Sequence, residues 1–192
     1  MKPLVYYGSK LRVMALLVLG RERAALVDFN AMLRRWPDDT YALASRAHLL
    51  AEAGQLESAL ADSRRLTLLR AEHATTWFNH GFMLEASGQW DESLTSFRRA
   101  TELGPELDRA WYGLGLVLIR LQRYDEAVQA LKRNTELQPM SPYGWYQLAR
   151  VHVDRQEPEA AVKIIRHLQG FEPKVADQLQ RETGLLVGKA AG

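Results

Sequence analysis

Trp77, Trp111 and Trp145 stand 34 residues apart, and Pro105, Pro139 and Pro173 recur at the same interval. Two residue types sharing one spacing mean that a single structural unit is copied along the chain, so the fold is an array and not a globule around one centre. Cutting at that period gives five units, residues 6–39, 40–73, 74–107, 108–141 and 142–175, and leaves 176–192 as a terminal segment. A chain of 192 residues with 47% hydrophobic and 25% charged side chains lies outside the disordered compositions and can bury the core such an array needs.

Inside each unit, positions 4, 7, 8 and 11 share one helical face, and positions 20, 24 and 27 share another, so each unit reads as two amphipathic helices. Gly20, Gly54 and Gly88 occupy position 15, where the first helix must end and a left-handed residue is needed. The prolines at position 32 stop the second helix. Asp91 with Glu92 and Asp125 with Glu126 fall at positions 18 and 19, where negative charge complements the dipole at the start of the second helix. Pro158 at position 17 is compatible with a helical first turn.

The third and fourth units show the pattern most fully: Trp77 or Trp111 at position 4, Gly81 or Gly115 at 8, Leu84 or Leu118 at 11, Trp90 or Tyr124 at 17, Ser93 or Ala127 at 20, and Pro105 or Pro139 at 32. This resembles the tetratricopeptide repeat over residues 6–175. The resemblance implies an all-α, right-handed superhelical solenoid of about five helix-turn-helix hairpins closed by a C-terminal capping helix. Departures gather at the ends: Ser9 and Arg12 in the first unit, Leu43, Arg46 and Ala71 in the second, Ala149 in the fifth. Terminal repeats are usually atypical. The segment from 176 keeps Leu179 and Leu186 at positions 4 and 11 with Glu182 at 7, and reads as a first helix without a second, a cap that such a stack requires for solubility.

The Gly113-Leu114-Gly115 stretch invites comparison with a phosphate-binding loop, but such a loop follows a strand, and no strand pattern occurs in the chain. The two glycines are therefore expected to serve close packing. His48, His73, His80, His152 and His167 form no metal-binding spacing, and the chain has no cysteine. His80 and His152, at positions 7 and 11, are expected in the core. No catalytic constellation stands out, so the chain is read as a non-enzyme with neither cofactor nor metal.

By resemblance to the family, positions 2, 5, 9 and 12 of each first helix face a concave groove, with 6 and 13 nearby. There the chain places Tyr7, Lys10, Met14 and Leu17, then Tyr41, Ala44, His48 and Ala51, then Thr75, Phe78, Asn79, Phe82 and Glu85, then Arg109, Tyr112 and Leu116, and finally Tyr143, Tyr146, Gln147 and Arg150. Tyr41, His48, Phe78, Asn79, Phe82, Arg109, Tyr112, Tyr143, Tyr146 and Arg150 are the candidate partner-binding residues, because aromatic and arginine side chains dominate binding hot spots. They suggest an extended or helical peptide held by aromatic contacts, with Arg109 and Arg150 pairing to acidic groups. Relatives that clamp a C-terminal carboxylate carry residues matched here by Asn79 and Arg109 but not by Ala44, His48 and Gly113, which argues against that mode.

A second surface is suggested by the first helix, where Leu11, Met14, Leu17 and Val18 leave it apolar nearly all round with no preceding repeat to cover it. It is expected to bury itself on a partner or on a second copy as a homodimer. The leading reading is an interaction scaffold or adaptor with a protein or peptide partner. A small chaperone for secretion or assembly substrates is the alternative, and an RNA-binding repeat is less favoured because a formal net charge of +2 is weak for phosphate binding. The apolar run Val13 to Leu19 is too short to span a bilayer. No small-x-small cleavage site follows it, so neither a membrane span nor a secretory signal is expected, and a cytoplasmic location fits, with a membrane-associated complex reachable through a partner.

Overall fold

A computed structural model describes residues 3–186. Among them the regular structure is entirely helical: α1 (Leu4–Val18), α2 (Glu22–Arg35), α3 (Thr40–Glu52), α4 (Leu56–Leu69), α5 (Ala74–Ala86), α6 (Trp90–Leu103), α7 (Asp108–Arg120), α8 (Tyr124–Leu137), α9 (Pro142–Asp154), α10 (Pro158–Gln169) and α11 (Pro173–Thr183). Each odd-numbered helix packs on the even one that follows, making five hairpins, and each even helix packs on the next odd one. The odd helices α5, α7, α9 and α11 also pack on one another, whereas the even helices do not. Crowding on one side and spreading on the other curves the solenoid, so the odd helices line the concave face.

Hairpin turns follow from the backbone. Gly20, Gly54 and Gly88 adopt φ of 65°, 74° and 75°, the left-handed region that glycine enters without steric penalty. The fourth and fifth hairpins make the same turn with Gln122 at φ 57° and Gln156 at φ 60°. The tryptophan and proline series prove to be partners. The indole Nε1 of Trp111 donates to the Pro105 carbonyl and that of Trp145 to the Pro139 carbonyl, each at 2.9 Å, while Trp77 makes the same bond to Ala71 at 2.8 Å. Position 4 of one repeat thus staples the turn at position 32 of the repeat before it through a backbone carbonyl, which alanine supplies as well as proline.

Close packing explains the glycines of the fourth repeat. A Cβ on Gly115 would lie 2.7 Å from Leu131 Cγ, on the second helix of the same hairpin, and one on Gly113 would lie 2.6 Å from the Phe97 ring of the preceding repeat. Phe97 is fully buried and also touches the Gly81 position from its other side. These glycines serve helix contact and cradle no phosphate.

Both buried histidines and the buried Asp62 have partners. His80 Nδ1 meets Ser63 Oγ at 2.8 Å and His152 Nδ1 meets Glu157 Oε2 at 2.7 Å, so both are core histidines with partners. Arg46, which replaces the apolar residue expected at position 7, donates twice to the buried Asp62 carboxylate and once to Asn30 of the first repeat. Two sequence expectations fail near the C-terminus. Pro173 does not follow the second helix as a stop but sits in the first turn of α11, because α10 ends at Gln169 and a proline without an N–H suits a helix start. Leu179 is buried, but Leu186 lies beyond the helix and is exposed, since the left-handed Gly184 ends α11 first. Positions 187–192 of the expected tail lie outside the described residues.

Candidate functional site

The concave face is ordered by a simple relation between neighbouring first helices. At two junctions the side chain at position 5 meets the residue at position 2 of the next first helix. Lys10 Nζ stands 4.4 Å from the centre of the Tyr41 ring. The Arg109 guanidinium lies 5.2 Å from the centre of the Phe78 ring, and Phe78 itself rests against buried Phe97 with ring centres 6.0 Å apart. Half-burial of Tyr112, the largest influence, pushes its hydroxyl pKa up, with the nearby Gln147 side chain opposing. Tyr41, Phe78, Tyr112 and Tyr146 are all half-buried, packed against the core with part of each side chain left exposed.

Fully presented to the groove are Phe82, 57% exposed, and Tyr143, 71% exposed, with Asn79, Arg109 and Arg150 also exposed. His48 is exposed and stands 3.4 Å from Glu52 one turn on. Arg109 has no carboxylate partner among the described residues. Between Arg120 and Glu85, whose carboxyl is pushed up by burial and pulled down by that arginine, lies a wetter stretch that Leu116 and Ile119 also line. Among the described residues no group of three or more His, Asp or Glu could hold a metal ion, and no helix is long and apolar enough to cross a membrane.

Residues 84–139, which hold the stapled junction from Pro105 to Trp111, match the tetratricopeptide repeat family model. That stretch is tetratricopeptide repeat. The repeat protein superposes on MamA residues 41 to the end from Desulfovibrio magneticus RS-1 with a TM-score of 0.81 at 19% identity, covering 95% of this chain and 98% of that one. It matches YrrB, a tetratricopeptide-repeat protein with an unusual peptide-binding site, with a TM-score of 0.77 at 17% identity over 88% of both chains. A tetratricopeptide repeat protein from Parabacteroides merdae ATCC 43184 gives a TM-score of 0.82 at 19% identity, covering 93% of this chain and 73% of that one. At such identities the likeness is one of fold. Comparison with curated protein sequences gives no significant match.

Two features of the repeat protein's groove depart from the sequence reading. Arg150 is not waiting for an acidic ligand group. It stands 3.8 Å from the Glu182 carboxylate of α11, which also accepts a hydrogen bond from the Tyr146 hydroxyl. That bond is the largest cause of a lowered Glu182 pKa. Glu182 at position 7 of the terminal segment signalled a polar cap but not this reach across two helices. Leu17, grouped with the free apolar surface, is half-buried against the core of the first two hairpins, because its face of α1 turns toward α2 and α3. Leu11, Met14 and Val18 are exposed, and with Leu4 and Tyr7 they form a stripe at alternating spacings of three and four residues. Arg70, just past the end of α4, is exposed and lines a cavity between α3 and α5, outside the first-helix positions that the repeat pattern singles out.

Proposed function

We propose that this chain is a non-catalytic scaffold or adaptor that holds a peptide segment of a protein partner in its concave groove. One observation carries the reading: Phe82 and Tyr143, large aromatic side chains on first helices, stand 57% and 71% exposed, and the first helix between theirs carries the exposed Arg109, which has no carboxylate partner among the described residues. Exposed aromatic area with a nearby cation, on rigid helices, is what interface hot spots are built from. The family supports this reading, as does the peptide-binding site carried by YrrB on the same fold. An extended or helical peptide would lie across α5, α7 and α9, with Arg109 as the cation for an acidic group; Arg150 joins only after leaving Glu182.

The test is affinity capture from lysate with the wild type and with Phe82→Ala/Tyr143→Ala, both checked for helicity. A partner held by the wild type and lost by the variant supports the groove. Equal capture by both overturns it. The exposed stripe on α1 favours a second reading, a chaperone or homodimer that covers this helix. Sedimentation of the wild type as a single monomer at micromolar concentration counts against the homodimer, and an aggregation-prone client left unprotected counts against the chaperone.

A further inference from the structure

Position 5 is small in one repeat. Lys10, Phe78, Tyr112 and Tyr146 occupy it in four repeats, but in the second repeat that place is held by Ala44, and position 2 of the next first helix is Thr75. Neither reaches across. The close backbone packing of α5, α7 and α9 on one another does not extend to α3 and α5, or to α1 and α3, and a cavity of about 230 Å³ opens between α3 and α5, floored by α4. Ala44, Ala47 and Ala51 form one wall, and the buried side chains of Leu66 and Met83 supply apolar depth. Thr75 and Asn79 make the rim polar.

We propose that this slot anchors one aromatic side chain of a peptide ligand, tyrosine or tryptophan, with Arg70 taking an acidic residue beside the anchor. The proposal rests on the groove reading above and names what the groove selects. Three observations bear on the occupant. Three of the four equivalent positions, Phe78, Tyr112 and Tyr146, carry aromatic rings, so the slot stands where a member of that column is missing. An apolar floor under a polar rim suits a ring with one dry end and one wet end. Arg70 lines the cavity and is exposed. Its neighbours on α4, Arg64 and Arg65, are paired with Glu92 and Asp38, whereas Arg70 has no carboxylate partner among the described residues. An unpaired guanidinium at the mouth complements a carboxylate on the ligand.

Ala44→Phe closes the slot with a residue that the next repeat already carries at the same position, and Ala44 is exposed, so the fold is retained. Two probes test the idea. Indole and p-cresol, the side-chain analogues, are titrated into isotope-labelled protein, and a random peptide library displayed on phage is selected on the wild type, Ala44→Phe, Arg70→Glu and Tyr143→Ala. We expect the analogues to shift the amide resonances of Ala44, Ala47 and Thr75 in the wild type and to leave the Ala44→Phe protein unshifted. Wild-type selectants should share an aromatic residue next to Asp or Glu. They should bind Ala44→Phe about thirtyfold more weakly, as loss of a hot-spot anchor implies. Selection on Arg70→Glu should lose the acidic preference.

Analogues that shift neither amide set, or selectants with the same aromatic preference on Ala44→Phe as on the wild type, overturn the slot while peptides lost from Tyr143→Ala, a residue outside the slot, keep the groove. Failure of the wild type to enrich any peptide overturns the groove reading and the slot's ligand together.

Discussion

Glycine packing was legible from the sequence because context excluded the alternative, and the structure shows what the packing is against. Adding a methyl group at Gly115 or Gly113 forces a fully buried neighbour to move, so Gly115→Ala and Gly113→Ala should each destabilise by about 2 kcal/mol, read as a fall in the denaturation midpoint with an unchanged m-value. His80 makes a second prediction. Burial, and then the Arg64 charge, lower its pKa below the ordinary 6.5, with Glu92 opposing, so the folded state holds the neutral ring. The unfolded chain binds the proton more readily, and the stabilisation is complete above about pH 6.5 and is lost as pH falls from there through the folded pKa. His80→Gln should flatten this fall when melting temperatures are compared across that window. Arg46 was read only as a departure from pattern, since a single position cannot reveal that Asp62 lies 16 residues away to receive it. Asp62→Ala, which strands the guanidinium, should cost about 3 kcal/mol, whereas replacing both partners by apolar residues should cost less.

Helix boundaries were readable wherever a residue with a backbone reason marked them. Glycine at position 15 marks three of the hairpin turns, but Gln122 and Gln156 make the same turn without advertising it, because repeat context overrides local preference. Gln122→Gly and Gln156→Gly should each raise stability by up to about 1 kcal/mol by relieving a side chain from the left-handed region. A lowered or unchanged melting temperature for both would show that the glutamine side chains contribute more than the strain costs. The start of α11 was misjudged because proline has two uses, stopping one helix and starting the next, and spacing alone does not choose between them. The Glu182 contact has a consequence for binding. Glu182→Gln should free Arg150 and strengthen binding of acidic peptides to that end of the groove, most visibly at low ionic strength; equal affinities in calorimetry would show that the two side chains do not compete.

The array as a whole was the most legible feature, since its evidence is spread over 34-residue intervals and survives several departures. The slot was the least legible. It depends on two small residues, Ala44 and Thr75, that face one another only because adjacent repeats stack, and on Arg70, which belongs to neither first helix. An array of this kind shares stability between neighbours, so truncation before Pro173 should expose Leu168 and Ile165, which pack in one cluster with Ala176 and Leu179. The α9–α10 hairpin should then exchange amide protons faster while the first two repeats keep their protection. The indole bonds offer a way to watch such events separately. Trp77, Trp111 and Trp145 each tie one junction between consecutive repeats, and parting a junction breaks that bond and wets the ring. The molecule therefore carries an intrinsic fluorophore at each of three successive seams, and proteins retaining one of these indoles at a time would display the order in which the solenoid comes apart.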